Sequence, residues 1–347
     1  MTQRPAHPWV IERRGTIRFA LQAVAATDDP GPGAAEIAAG QLAEELGYDA
    51  FFLGDHPAWA PDCWLHLAAL AVKTERIGLG PLVSCVLYRP PVVTARLAAD
   101  LDRISCGRLI LGLGIGWDAS ELGWGANEFD RLGLAYPAVK ERQEALDEAV
   151  EIVRGVWGPQ PISFRGRHYS VSDVQVSPAP LQPHGPPVVI AGAGTRTLRQ
   201  VARFADACNF GPVVTGGVDT PEEVRERFAV LRRHCDDAGR SFDDILRSHF
   251  TIWLMLAEDD RSVRRKVDRY FPGGVDETWR RALFAGTPER AVAYFREFAD
   301  AGMQYFVAQV LDARDEETFR LLAQEVAPRV QQRGTEGDGG GPDGDRP

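Results

Sequence analysis

A (β/α)8 TIM barrel is the fold this sequence predicts, and three observations carry it. Short apolar runs alternate with amphipathic helical segments from residue 16 onward, eight such units fit into about 310 residues, and several runs end abruptly in polar or Gly-rich turns. Repeated β–α units imply a parallel sheet, closed as a barrel or open and doubly wound. The count and the length favour closure, since such barrels run from about 200 to over 400 residues.

The first strand is read at Thr16–Val24, followed by a helix at Ala34–Leu46 whose Ile37, Leu42 and Leu46 share a face and which Gly47 closes. Tyr48–Leu53, in GYDAFFLGDHP, is the second strand, and its apolar run is what a strand buried on both faces looks like. A helix at Asp62–Lys73, a third strand at Arg76–Val83, a helix at Pro91–Ile104 and a fourth strand at Arg108–Leu113 follow. The helix Tyr136–Val156 leads into a Pro- and Gly-rich excursion over 158–187, whose ISFRGRHYSV reads as a small hairpin before the fifth strand, Val188–Ala191. Insertions are thus expected after strand 4 and before strand 5. The last three strands are Ala207–Phe210, Arg247–Ala257 and Gln304–Val310. The chain divides into an N-terminal extension over 1–15, one barrel domain over 16–330, and a tail over 331–347 of Gly, Asp and Pro that should be disordered.

Composition narrows the partners. The 347 residues are 44% hydrophobic and 25% charged with a net charge of −10, which suits a soluble globular protein and argues against nucleic acid or an anionic membrane surface. Cys63, Cys85, Cys106, Cys208 and Cys235 form an odd set without C-x-x-C, so reduced thiols are expected and no disulfide framework or structural zinc. Without an apolar leader or a long apolar run, the expected location is cytoplasmic. His66, His168, His184, His234 and His249 lack metal-site spacing, so no metal is expected.

Active sites of such barrels gather just after the strands. Asp55 and His56 end the second strand; His56 can move a proton near neutral pH while Asp55 orients it or binds a donor, although Asp55 can equally cap a turn and His56 lie in solvent. After the third strand, Ser84 and Cys85 lie in a small-residue stretch that admits a flat ring or is simply buried; Cys85 has no neighbouring base, which speaks against a nucleophile. After the fourth, Gly114, Gly116 and Trp117 expose amides to a phosphate or a ring, in a G-x-G-x-G spacing that does not fit a dinucleotide fingerprint. After the fifth, Gly192, Ala193, Gly194 and Thr195 lead straight into a helix, whose amides and dipole would receive an anionic group, with Thr197 and Arg196 beside them. Trp59, Trp64 and Trp124 are pocket or core residues.

Taken in order, GYDAFFLGDH, DRISCGRLILGLGIGW, ERQEALDEAVEIVRGVWG, IAGAGTRTLRQVARFADACNFG and GTPERAVAYFREFADAG resemble the bacterial luciferase-like monooxygenase family, in particular its coenzyme F420-dependent oxidoreductases. The resemblance covers residues 16–330. It implies a barrel, usually homodimeric, that holds coenzyme F420, or alternatively FMN, at the carboxyl ends of its strands. It further implies His56 as proton donor or acceptor with Asp55 as its supporting or cofactor-contacting neighbour, a bulge behind the ring at Ser84 and Cys85 with a cis peptide near Pro81, and Gly114, Gly116 and Gly192–Thr195 around the ribityl chain and phosphate. Dehydrogenases of the family carry a Trp and a Glu where this chain has Ala60 and Trp117. The implied activity is hydride transfer between F420 and a small organic substrate; an FMNH2-dependent monooxygenase and a non-catalytic flavin-binding protein are the alternatives, with a metal-dependent hydrolase or isomerase as a further rival. The segment 118–134 is expected to roof the pocket.

Overall fold

Twelve strands organise the described residues: β1 (Arg18–Ala23), β2 (Ala50–Leu53), β3 (Gly78–Pro81), β4 (Ser84–Cys85), β5 (Leu111–Gly114), β6 (Ile162–Arg165), β7 (Ser170–Val174), β8 (Val188–Ala191), β9 (Ala207–Phe210), β10 (Leu246–Leu256), β11 (Leu283–Gly286) and β12 (Tyr305–Val310). They are seen in a computed structural model that describes residues 5–24, 34–117, 127–212 and 217–332. The expectation of a disordered tail falls outside the described residues from 333 onward.

Hydrogen-bonded neighbours run β3-β2-β1-β12-β10-β9-β8-β5-β4, with the pairs parallel throughout. β3 and β4 are two halves of one stave. β3 pairs with β2, β4 pairs with β5, and a bridge between Leu79 and Leu109 closes the ring. The expected barrel forms because each stave can be buried on both faces: all four residues of β2 are buried, under helices outside and side chains inside. Glycine permits the closure. A Cβ at Gly80 would run into the Ile110 carbonyl and one at Gly112 into the Pro81 carbonyl, so these glycines let β3 and β5 approach.

The helices Ala34–Glu45, Cys63–Ala71, Pro91–Ile104, Val139–Val156, Thr195–Phe204, Pro221–Ala238 and Pro288–Asp300 form the outer layer. Local chemistry sets their ends. Thr220 and Glu223 form a reciprocal capping box ahead of Pro221, and Gly239 ends that helix at a φ of 64°. The hairpin expected in the excursion before β8 is the antiparallel pair β6 and β7. A second excursion, not anticipated from the sequence, leaves the end of β10. It comprises the helix Asp260–Tyr270, a short helix at Glu277–Arg280, and β11, which returns to pair with β10 at Met255 and Leu256.

Inside the staves, Phe52, Ile110, Phe250 and Tyr305 share one cluster with Trp9 and Val10. Residues 5–15, set apart as an extension in the sequence reading, therefore floor the barrel. His7 caps the short helix Pro8–Ile11 by accepting from the Trp9 amide at 3.1 Å, and the Trp9 ring lies 5.6 Å from Tyr305. Asp49 accepts from Arg13 at 2.9 Å and from Tyr305 at 2.8 Å. Each fully buried large side chain here contributes about 1.5–3 kcal/mol. The opposite end, where the strands finish, is left for the site.

Candidate active site

All eight staves end on one cavity of about 570 Å3, reached by Gln22 of β1, Leu53 of β2, Cys85 of β4, Gly114 of β5, Ala191 of β8, Asn209 of β9, Ile252 of β10 and Gln309 of β12. That volume lies within the usual range for small-molecule sites, about 300–1,000 Å3.

One wall is polar and fully wired. His56 follows β2 and lines the cavity; its Nδ1 donates to Oε2 of Glu128 at 3.0 Å. Glu128 is 1% exposed and also accepts from the Tyr88 hydroxyl at 2.7 Å and the Ala58 amide at 3.2 Å. Burial alone would raise the Glu128 pKa, but the bonds from His56, Tyr88 and Ala58 outweigh it and hold the carboxyl below its ordinary range. Burial first, and then the neighbouring carboxylate, keep the Tyr88 phenol well above its usual value, so it stays a donor. With Nδ1 held as the N–H, the neutral imidazole presents Nε2 as an acceptor, and Nε2 has no partner among the described residues. His56 stacks 5.6 Å from Trp59 and lies edge-on to Trp117 at 6.2 Å.

Asp55 corrects part of the sequence reading. Its carboxylate does not meet His56: it accepts from Ser84 Oγ at 2.6 Å and from both terminal nitrogens of Arg89, at 2.5 and 3.2 Å. Asp55 lines the cavity at 2% exposure, while Ser84 stands behind it and is not a lining residue. The residue that supports the histidine is Glu128, in the short helix Glu128–Leu132 capped by Asn127. It lies within the segment expected to roof the pocket; residues 118–126 of that segment lie outside the described residues.

Between β3 and β4, Leu82 and Val83 project into the cavity, joined by a cis peptide one residue beyond Pro81, where the resemblance leads one to expect it. Gln22 donates to the Leu82 carbonyl and accepts from Gln309 at 2.6 Å. Cys85 lines the cavity with its thiol pushed up to about 12 by burial, consistent with an inert side chain. Gly114 and Gly116 line it too, but their glycines also answer packing: a Cβ at Gly114 would lie 2.6 Å from Val83, and one at Gly116 2.8 Å from Phe129.

The wall across the barrel is aromatic. β10 lies four staves from β3 and β4, and it contributes Phe250, Ile252 and Trp253. Trp253 stacks on Trp279 of the second excursion with centroids 4.4 Å apart. Trp253 also sits at a φ of 46°, where the register with β11 shifts, a conformation that costs a non-glycine residue about 1–2 kcal/mol.

Of the expected phosphate turn, only Ala191 before it reaches the cavity wall; Gly192, Ala193, Gly194 and Thr195 are not lining residues. Ala193 is buried, whereas Gly194 and Thr195 are exposed. The turn opens at the same end of the barrel. Gly194, the N-cap of Thr195–Phe204, offers no side-chain capping bond, so the first amides of that helix are not capped by it. Thr197 is buried and accepts from Gln143 at 3.1 Å, and Arg196 pairs with Asp147 at 3.5 Å. Among the described residues no group of three His, Cys, Asp or Glu could hold a metal ion. His249 is a core residue, its pKa lowered by burial to about 3. Among the described residues, no helix is long and apolar enough to cross a membrane.

Comparison with known proteins agrees with this architecture. The sequence pattern of the family described as luciferase-like monooxygenase matches residues 17–304. The F420-dependent glucose-6-phosphate dehydrogenase of Microbacterium testaceum is 28% identical over 324 residues, covering 85% of this chain and 92% of its own. The pyrimidine monooxygenase RutA of Enterobacter cloacae is 31% identical over 214 residues, covering 61% of this chain and 54% of its own. Among solved structures, the coenzyme F420-dependent tetrahydromethanopterin reductase of Methanopyrus kandleri superposes with a TM-score of 0.74 at 22% identity, covering 91% of this chain and 99% of its own. The EDTA monooxygenase of Chelativorans sp. BNC1 gives 0.73 at 18%, covering 92% and 94%. At those identities the structures speak for the fold alone.

Proposed function

Because the chain belongs to the luciferase-like monooxygenase family, we propose that it is an oxidoreductase that uses the deazaflavin coenzyme F420 on a small organic substrate. The observation that carries this reading is the wired histidine, His56 on Glu128, standing at the single cavity where every stave ends. F420 in the names of relatives that match most of this chain supports the choice of coenzyme. When bound, the coenzyme supplies the two-electron, hydride-carrying centre, which protein side chains lack.

The residues present fit such a group. The cavity admits a flat ring system against the Leu82–Val83 bulge, away from the aromatic wall, and the uncapped helix start at Gly194–Thr195 offers amides to an anionic tail. His56 takes or returns the proton at Nε2, and Glu128 holds its ring and stabilises the imidazolium. Arg89 and Ser84 hold the Asp55 carboxylate in place beside it. Trp59 and Trp117 flank the imidazole and fix its plane. The expected homodimer is part of the proposal and is checked by light scattering.

Titrating the purified protein with F420 and FMN side by side, followed by fluorescence, tests the reading. Saturable F420 binding with weaker FMN binding is expected; binding of neither overturns it. A second reading, a monooxygenase using reduced FMN, is favoured by the 31% identity to RutA, and FMN binding tighter than F420 would select it.

A further inference from the structure

We propose that the substrate of this site is uncharged and carries a flat apolar body, and that sugar phosphates do not bind there. The inference rests on the function just proposed and deepens it by naming the substrate class.

The first observation is charge. Among the described residues that line the cavity there is neither Lys nor Arg, while Asp55 and Glu36 are acidic. Two guanidiniums stand behind the lining and both are engaged: Arg89 on Asp55 and Asp62, and Arg142 on the carbonyls of Ile115, Gly116 and Pro137. A phosphate dianion entering such a site would exchange its hydration for acidic neighbours and apolar walls, with no Lys or Arg among the described lining residues to compensate. The helix amides at Thr195 can receive one anionic group, and the proposed function reserves them for the coenzyme's tail.

The second observation is shape. The wall that faces the polar corner is Phe250, Trp253 and Trp279, with the two indoles already stacked 26° from parallel. Phe250, Trp253 and Trp279 are 6%, 8% and 5% exposed, so these rings meet the cavity along rigid apolar edges, which suit a planar partner packed edge-to-face. Polar recognition comes from neutral amides: Gln22, Gln309 and Asn209 line the cavity and suit a carbonyl or hydroxyl. Glucose 6-phosphate, the substrate named for several relatives, has neither the charge nor the shape that these walls accept.

The test is calorimetric titration of the coenzyme-saturated protein with 1-naphthol, 1-naphthyl phosphate and glucose 6-phosphate. The first two probes share a ring and differ in the dianion. Saturable naphthol binding is expected, with the ester at least about 100-fold weaker and no saturable heat from the sugar phosphate. An ester as tight as naphthol, saturable binding of the sugar phosphate, or no saturable binding of naphthol overturns the proposal. Trp279→Ala should weaken naphthol about tenfold and leave coenzyme affinity unchanged; unchanged naphthol affinity overturns the assignment of the wall. Should that variant not fold, Phe250→Leu serves the same purpose. If the coenzyme itself does not bind, the proposed function fails separately. The naphthol pair, then run in saturating inorganic phosphate to fill the helix amides, still decides the substrate class.

Discussion

The two walls of the cavity are held by different forces. On the β2–β5 side, both buried carboxylates are tied by directional bonds, Asp55 to Ser84 and Arg89, Glu128 to His56, Tyr88 and the Ala58 amide. On the β10 side, rings pack on rings, with Trp253 turned by a left-handed backbone onto Trp279. Charge-assisted hydrogen bonds fix geometry within tenths of an ångström and cost heavily when broken, whereas stacked rings tolerate sliding. The polar wall is thus built to hold a reacting geometry and the aromatic wall to accept a shape. Substitutions on the first should act on turnover and stability, and on the second on affinity.

The largest expected effect breaks the comparison at its centre. His56→Ala should lower turnover by about 10²–10⁴ while F420 affinity stays within about threefold, because only the proton handling is removed. Steady-state kinetics beside a coenzyme titration read both quantities; unchanged turnover would remove His56 from the chemistry. Arg89→Met acts instead on stability. It leaves the buried Asp55 without its guanidinium, and should cost about 3–5 kcal/mol in urea unfolding. Adding Asp55→Asn should recover part of that loss, since the two residues interact directly; a strictly additive pair would show that the bond is not what stabilises this wall.

These two walls also differ in how far they could be read from the sequence. The staves were legible because strands buried on both faces appear as apolar runs bounded by turns, as AFFL does before Gly54. His56 was legible from its place after such a run. Glu128 was not, since it lies 72 residues away in sequence and no local spacing joins the two. Asn127 and Gly133 do cap a helix around it, and that signal was there to be used. Arg89 was passed over because a charge beside a proline turn reads as solvated until Asp55 is known to face it. The excursion after β10 escaped because Asp260–Tyr270 buries only Val263, too thin an apolar stripe to mark a helix against a core. The glycines of GLGIG invited a ligand reading, although Gly112 serves the close approach of staves.

Glu128→Gln sharpens the same contrast with a smaller effect. It keeps the shape and a hydrogen-bond acceptor for His56 but removes the charge that stabilises the imidazolium, so turnover should fall by about 10–100-fold with little change in coenzyme affinity. Stability should respond with a definite sign. The Glu128 carboxyl titrates below its unfolded value, so its contribution is present at neutral pH and is lost as the pH falls through the depressed folded pKa. Thermal unfolding followed from pH 7 to about pH 3 should therefore fall less steeply in the Gln variant than in the parent. Parallel curves would mean that the carboxylate gains nothing from its three donors.

The smallest effect concerns the thiol on the polar wall. Cys85 lies among the lining residues, yet burial holds it near 12, and burial likewise raises Cys63, Cys208 and Cys235. Cys106 is exposed, in the turn after Pro91–Ile104 at the floor end of the barrel. At pH 8 a thiol with a pKa near 12 is thiolate to only about one part in 10⁴, so alkylation of the folded protein should label Cys106 and leave Cys85 untouched. Labelling at Cys106 should not change turnover, because the floor and the mouth are separated by the packed barrel interior. Peptide mapping after brief iodoacetamide treatment distinguishes the sites. Rapid labelling of Cys85 with loss of activity would mean that this wall is wet and its thiol activated, and the division between a rigid, bonded wall and an adaptable aromatic one would then have to be redrawn.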